Sequence, residues 1–282
     1  MNILYLISII LGVSLQNAFK KAYIEKTNGR GVYTFSVLSV LVAVVFFIIT
    51  SKGFEWNHGL IIYVLLFGFS FTAATAFTIF AVASGPLSVT ALIVSYSSLC
   101  PTLYGIIFLK DSISFGFVPG IILLIISLFL INGKNSGEPF TLKWIIYVTL
   151  AFAGNGMCSV VQKMQQVAFD GMYKNEFMMF SLIIVAVILG AIALKNERKE
   201  MCTFIKAGCV PSLVCGFSNG MVNLFVMILS GLMPVSVMFP LLSAGGIIVT
   251  YIISKLWYKE TLSKLQFVGF VAGIGSVVFL NI

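Results

Sequence analysis

Lys20 closes an apolar run with Gln16 and Asn17 one turn behind it, and Lys163 closes a second such run directly after Gln162. An ammonium beside carboxamides can hold an anionic or hydrogen-bonding solute. A shift of 143 residues (163 − 20) relates the two lysines. Other polar side chains fall at helical spacing inside apolar runs. Asn155, Ser159 and Gln162 occupy i, i+4 and i+7, one face of a helix. Gly216, Gly220 and Asn223 share a second face with Asn219 beside it, and a shift of 148 carries that face onto Gly68, Thr72 and Thr75. Ser95, Ser98 and Thr102 align in the same way with Ser243, Gly246 and Thr250. Polar groups within a membrane span face protein or a water-filled cavity, so these side chains form the candidate substrate-binding set. Each type also has a structural use. Small and hydroxyl residues let helices approach closely, buried amides bond across a bundle to offset a higher burial cost, and a lysine near the membrane edge can snorkel. Pro101 and Pro240 interrupt two of the runs, where a missing amide donor permits a kink, and are candidate hinges.

The chemistry left out is as informative. All nine acidic residues fall in loops or at the ends of apolar runs, and the single histidine, His58, lies in a loop. No phosphate-cradling G-x-x-x-x-G-K-[ST], no H-E-x-x-H and no acid/base dyad occurs within a run. The five cysteines have no C-x-x-C spacing. No enzyme activity, cofactor or metal is expected. Without an intramembrane carboxylate or histidine relay, facilitated transport or exchange is expected over proton symport.

These residues must be held by membrane helices. The chain has 282 residues, 60% hydrophobic and 9% charged, against roughly 25% charged in soluble domains. About 20 apolar residues cross a bilayer, and ten such runs are found: 3–19, 32–50, 60–83, 87–109, 117–131, 144–162, 177–194, 207–229, 235–257 and 265–280. Backbone groups in lipid bond within their own segment, so each run is read as a helix. The first run lacks the basic start and small-residue cleavage site of a signal peptide and is expected to remain in the chain. The net charge of +8 lies in short loops and is read as topology, not as nucleic-acid binding. Loops after spans 1, 5, 7 and 9 carry 13 of the 17 Lys and Arg residues and the opposite face carries 4, which places both termini outside the cytoplasm.

The ten runs form two sets of five. Gly68-Phe69-Ser70 recurs as Gly216-Phe217-Ser218, a shift of 148, and the same shift takes Pro86, Ser88 and Val89 onto Pro234, Ser236 and Val237. Asp111 falls on Glu260 after a one-residue slip. Residues 1–135 and 141–282 are therefore read as two copies of one five-span unit. Because five is odd, the second copy enters the membrane from the opposite side. The expected fold is an all-α membrane protein of ten transmembrane helices in two inverted five-helix repeats, the plan by which secondary transporters alternate access. The glycines of the repeated triplet are expected to serve packing.

The segment YKETLSKLQFVGFVAGIGSVVFL, Tyr258 to Leu280, resembles the end of an EamA-type repeat of the drug/metabolite transporter superfamily, and LKDSISFGFVPGIILLIISLFLI, Leu109 to Ile131, is similar with Asp111 in place of the usual Glu. LGVSLQNAFKKAY and GNGMCSVVQKMQ resemble the family's Gly-then-Lys pattern in the first and sixth spans. The resemblance implies a cell-membrane carrier of a small organic metabolite, an amino acid, a sugar or a related compound, anionic ones included. It ranks export above uptake, and a central cavity among spans 1, 3, 4, 6, 8 and 9 is expected. It also implies cytoplasmic termini, the reverse of the charge reading. A membrane receptor that lost transport and a flippase of a lipid-linked substrate are the alternatives. The expected partners are the solute and membrane lipid; the oligomeric state is not legible.

Overall fold

The computed structural model describes residues 2–51, 53–84, 90, 93–111, 115–132, 141–257 and 264–280. Among them the chain is all helix: α1 Asn2–Thr27, α2 Val32–Thr50, α3 Leu60–Ser84, α4 Leu99–Phe108, α5 Phe117–Asn132, α6 Leu142–Ala168, α7 Lys174–Asn196, α8 Met201–Leu232, α9 Val235–Trp257 and α10 Lys264–Leu280, with a 3₁₀ turn, Tyr96–Ser98, leading into α4. Six of them, α1, α2, α3, α6, α7 and α8, are long and apolar enough to cross a membrane, and shorter apolar stretches lie at Ile93–Phe108, Phe117–Ser127, Val235–Gly246 and Phe267–Ser276. At about 1.5 Å per residue, the 26 residues of α1 reach about 39 Å, beyond the ~30 Å hydrocarbon core. Several helices overrun the apolar runs that announce them. α1 continues to Thr27 and α6 to Ala168, so Lys20 and Lys163 lie inside helices and not at their ends.

The chain divides into two compact units, Met1–Thr72 with Met164–Gly231, and Ala73–Lys163 with Leu232–Ile282. Each unit draws on both sequence halves.

In the first unit α1 and α8 pack antiparallel. The Tyr5 ring lies 5.1 Å from that of Phe225, a Cβ on Gly12 would stand 2.7 Å from Val222 Cγ2, Cys215 Sγ donates to the Gln16 carbonyl at 3.5 Å, and Gly208 abuts Tyr23. As numbers rise along α1 they fall along α8. α2 and α7 are likewise antiparallel. Glu197, the residue after α7, accepts from the Tyr33 and Thr34 amides at 3.1 and 2.7 Å, while Asn175 Nδ2 at the start of α7 donates to the Thr50 carbonyl at 3.1 Å.

The glycines of the repeated triplet sit where helices cross. A Cβ on Gly68 would lie 3.0 Å from Ile184 Cγ2 and 3.3 Å from the Ser181 carbonyl; one on Gly216 would lie 2.5 Å from Val42 Cβ and press on the Ser39 carbonyl. Ser39 and Val42 map onto Ser181 and Ile184 by one shift, 181 − 39 = 184 − 42 = 142. The intervening phenylalanines, Phe69 and Phe217, are outward and 58% and 57% exposed, as lipid-facing side chains should be.

The same shift of 142 governs the entry into α2 and α7. Asn28, Gly29 and Gly31 have φ of 51°, 75° and 72°, and Asp170, Gly171 and Tyr173 have 48°, 75° and 59°. The Gly29 amide donates to Ile24 O and the Gly171 amide to Gln166 O, both at 2.9 Å. Burial follows suit, with Phe35, Val40, Ala43 and Phe47 matched by Phe177, Leu182, Val185 and Leu189, all buried. Tyr173 holds without a glycine's freedom the left-handed conformation that Gly31 adopts, which is uncommon for a bulky residue.

In the second unit α5 packs on α10, where Ser276 Oγ donates to the Gly120 carbonyl at 2.8 Å and Gly275 faces Leu123. α4 meets the start of α9, and Asp111 Oδ2 accepts from the Ser236 amide at 3.1 Å, a side-chain cap on an orphan helix-start donor. Trp144 Nε1 donates to Thr90 Oγ1 at 2.9 Å. Glu260 and Ser88, the counterparts of Asp111 and Ser236, lie outside the described residues.

Candidate functional site

α1 exposes two faces. Ile3, Leu4, Ile7 and Leu11 form an apolar one. Val13, Asn17, Lys20 and Ile24, at i, i+4, i+7 and i+11, form the other, also exposed, about 120° away at ~100° per residue. The two exposed stripes differ in chemistry: one carries an amide and an ammonium among aliphatics and the other aliphatics alone. Lys20 lies within electrostatic reach of the Cys215 thiol, and Gln16 shares that neighbourhood through its carbonyl. One turn further along α8, Asn223 Nδ2 donates to the Asn219 carbonyl at 2.8 Å and to its Oδ1 at 3.1 Å. Gln16, Asn17 and Lys20 thus gather on α1 beside Cys215 of α8 in the first unit, with Asn219 and Asn223 one and two turns further along α8. Cys215 is absent from the sequence-derived set because a cysteine in an apolar run reads as core.

Thr72 belongs to the same unit, but it is buried and its hydroxyl donates to Gly68 O at 2.8 Å. The hydroxyls of the second unit behave similarly: Ser98 Oγ donates to Ser95 O at 3.2 Å and Thr102 Oγ1 to Ser98 O at 2.9 Å. These donors serve their own helix, as Ser and Thr commonly do within helices. Thr75, Ser159 and Ser243 are half-buried, and the Thr250 side chain lies outside the described residues. Asn155 Nδ2 donates at 2.9 Å to Ser97 Oγ. Ser97 escapes the sequence stripe because the 3₁₀ turn Tyr96–Ser98 departs from the 3.6-residue period. Gln162 is buried at 4% exposure; Lys163 is half-buried and within electrostatic reach of Asp111.

Pro101 is the third residue of α4, directly after the 3₁₀ turn, where it ends one helical geometry and begins another. Pro240 lies within the unbroken α9 and Pro211, a third intrahelical proline, within α8.

The pairing of Lys20 with Lys163 needs correcting. The backbone register at the ends of α1 and α6 is 142, not 143, since Ile24 O and Gln166 O play the same part. Lys163 is therefore the counterpart of Lys21, and Lys20 that of Gln162. In this register Asn17 and Lys20 fall on Ser159 and Gln162, so the stripe on α1 and the stripe on α6 are the same stripe in two copies. Only the α1 copy carries a cation.

A second correction concerns the acids. Glu176, expected at an exposed span end, is 9% exposed. Phe180 lies one turn along the same face of α7, and the Phe54 and Trp56 rings stand 5.7 and 4.9 Å from the Phe180 ring, bringing the α2–α3 connection over that face.

No group of three or more His, Cys, Asp or Glu side chains able to hold a metal occurs among the described residues. No protein-family model matches the chain, and no curated protein matches it. A solved structure described only as "Crystal structure of protein" is similar over 98% of this chain and 94% of its own, with a TM-score of 0.80 and 13% sequence identity; at that identity the likeness is one of fold.

Proposed function

We propose that the protein is a secondary transporter of the drug/metabolite, EamA-like kind, with ten membrane spans in two inverted repeats, moving a small organic metabolite across the cell membrane by alternating access. The observation that carries the reading is the relation of α2 to α7. They begin with the same run of left-handed backbone 142 residues apart, bury the same positions and pack antiparallel. Copies of one segment that run in opposite senses are what an inverted duplication produces, and such a pair can exchange its two conformations between membrane faces. The exposed Asn17–Lys20 stripe with Asn219 and Asn223 gives the solute its contacts, and the lone stripe cation favours solutes with a carboxylate or phosphate. Export ranks above uptake on the sequence resemblance.

Flux of labelled metabolite pools into proteoliposomes is the test. Lys20→Ala should abolish or strongly impair flux of an anionic solute, and Lys163→Ala, one residue off the stripe, should impair it less. Unchanged rates in both variants would remove the anionic-solute reading, and no flux of any pool would remove the carrier.

A further inference from the structure

Glu197 is held in an electrostatically divided position. It follows α7, where the partial negative end of the helix disfavours a carboxylate, and it touches the start of α2, where the positive end favours one. Three bonds decide the matter: the Tyr33 amide at 3.1 Å, the Thr34 amide at 2.7 Å and the Thr34 hydroxyl at 2.6 Å. A second pair, Arg30 with Glu200 at 3.1 Å, closes the same end from the surface.

The opposite end of the α2/α7 pair has the same parts in the linear register of 142: Glu55 for Glu197, and the Asn175 and Glu176 amides for those of Tyr33 and Thr34. Phe54 and Trp56, the chain neighbours of Glu55, pack on Phe180, one turn along α7 from Glu176. Yet the bonds are not made. Among the described residues neither the Asn175 nor the Glu176 amide finds an acceptor, Asn175 Oδ1 is buried without a donor, and Glu55 is exposed. One substitution between the halves accounts for this. Where Thr34 offers a hydroxyl to the incoming carboxylate, Glu176 offers a second carboxylate, buried and like-charged. Met172 and His58 stand where the other end has Arg30 and Glu200, so the surface ion pair is missing as well.

We infer that the α2/α7 pair carries a carboxylate latch at one end only: Glu197 ties the Tyr33–Thr34 end with three bonds, and Glu176, by denying Glu55 the equivalent bonds, leaves the Asn175–Glu176 end, held by the single neutral bond from Asn175 to the Thr50 carbonyl, as the one that opens. The inference rests on the alternating-access reading for its meaning in transport but not for its test. Amide hydrogen exchange on the purified protein without solute reads both helix starts directly. Residues 33–34 should exchange more slowly than 175–176 in the wild type, and Glu197→Gln should speed exchange at 33–34 by roughly tenfold, the size of one cap. Glu176→Thr, which installs the residue of the other half, should slow exchange at 175–176 by roughly the same factor, and Glu55→Gln in that background should restore it. Glu176→Gln removes the charge at nearly constant volume and should act in the same direction should the threonine variant fail to fold. Equal protection of the two ends in the wild type would overturn the inference. So would slowing at 175–176 that persists without Glu55, or no change in either Glu176 variant. A protein with the expected exchange pattern that moves no solute would sink the carrier and leave the one-sided latch standing.

Discussion

Gly216→Ala tests the helix crossing on which the α2/α7/α8 packing depends, with Gly68→Ala as its internal control. In isolation, alanine should help either helix by about 1 kcal/mol, the difference in helix propensity. The surroundings decide the sign. At Gly216 the new methyl would stand 2.5 Å from Val42 Cβ and press on the Ser39 carbonyl, against an ordinary carbon contact of about 3.5–4.0 Å. Val42 is branched at the atom in question and Ser39 O belongs to the backbone, so neither yields by rotating a side chain and α2 must shift. Overpacking of this kind costs about 2–3 kcal/mol, leaving a net loss of about 1–2. At Gly68 the nearest atom is Ile184 Cγ2 at 3.0 Å and the carbonyl of Ser181 is 3.3 Å away, so a few tenths of an ångström suffice. There the two effects nearly cancel. With about 2–4 °C per kcal/mol for a chain of this order, Gly216→Ala should lower the apparent melting temperature of the purified protein by roughly 2–8 °C and Gly68→Ala by under about 2 °C. Both variants should be scanned at one heating rate, because irreversible unfolding makes the midpoint depend on it. A Gly216→Ala protein as stable as Gly68→Ala would refute the backbone-limited crossing.

If the chain threads the membrane as proposed, cysteines placed at Glu25 and Lys174 label from opposite compartments; labelling of both from one side would break the inverted repeat. The Arg30–Glu200 pair is 64% and 50% exposed, so Glu200→Ala should lower stability by less than about 1 kcal/mol, an effect that concentrated salt removes; a larger, salt-insensitive loss would mean the pair is buried in the membrane-embedded protein. Asn155→Ala and Ser97→Ala, combined in a double-mutant cycle followed by thermal unfolding, should show a coupling of about 0.5–1.5 kcal/mol for one neutral hydrogen bond; strict additivity would deny the contact.

The helical class was legible because apolar runs of membrane length announce themselves residue by residue. The packing role of the two triplet glycines was legible as well, since a small residue recurring at a fixed shift has few other uses inside lipid. Helix ends were not: α1 runs eight residues past Phe19, to Thr27, because charged and polar residues such as Lys20, Lys21 and Lys26 are good helix formers that a hydrophobicity count discards. The burial of Glu176 was invisible for a related reason. One turn along α7 from it, Phe54 and Trp56 fold back on Phe180, a contact across 124 residues of chain (180 − 56) that no local pattern encodes.

The one-residue error in matching Lys20 to Lys163 shows how sharply function depends on register within helices. A slip of one turns a side chain by about 100°, enough to move a cation from an exposed stripe to a neighbouring face. In the corrected register the halves agree where residues pack, as Phe35 does with Phe177 and Ala43 with Val185. They differ where charge meets a helix end or the exposed stripe: Lys20 against Gln162, Arg30 against Met172, Thr34 against Glu176 and Glu200 against His58. Two identical inverted halves would leave the inward- and outward-facing states equal in energy, apart from the asymmetry of the membrane itself. Any bias between those states must then come from the positions where the halves differ, and a shift of 99:1 to 1:99 requires only about 5.5 kcal/mol. If the chain alternates access as proposed, a carboxylate with three bonds at one end of a helix pair and none at the other contributes about one cap, roughly tenfold, to that bias, so exchanging Thr34 and Glu176 between the halves should shift by that factor which face of the protein a cysteine reagent reaches first.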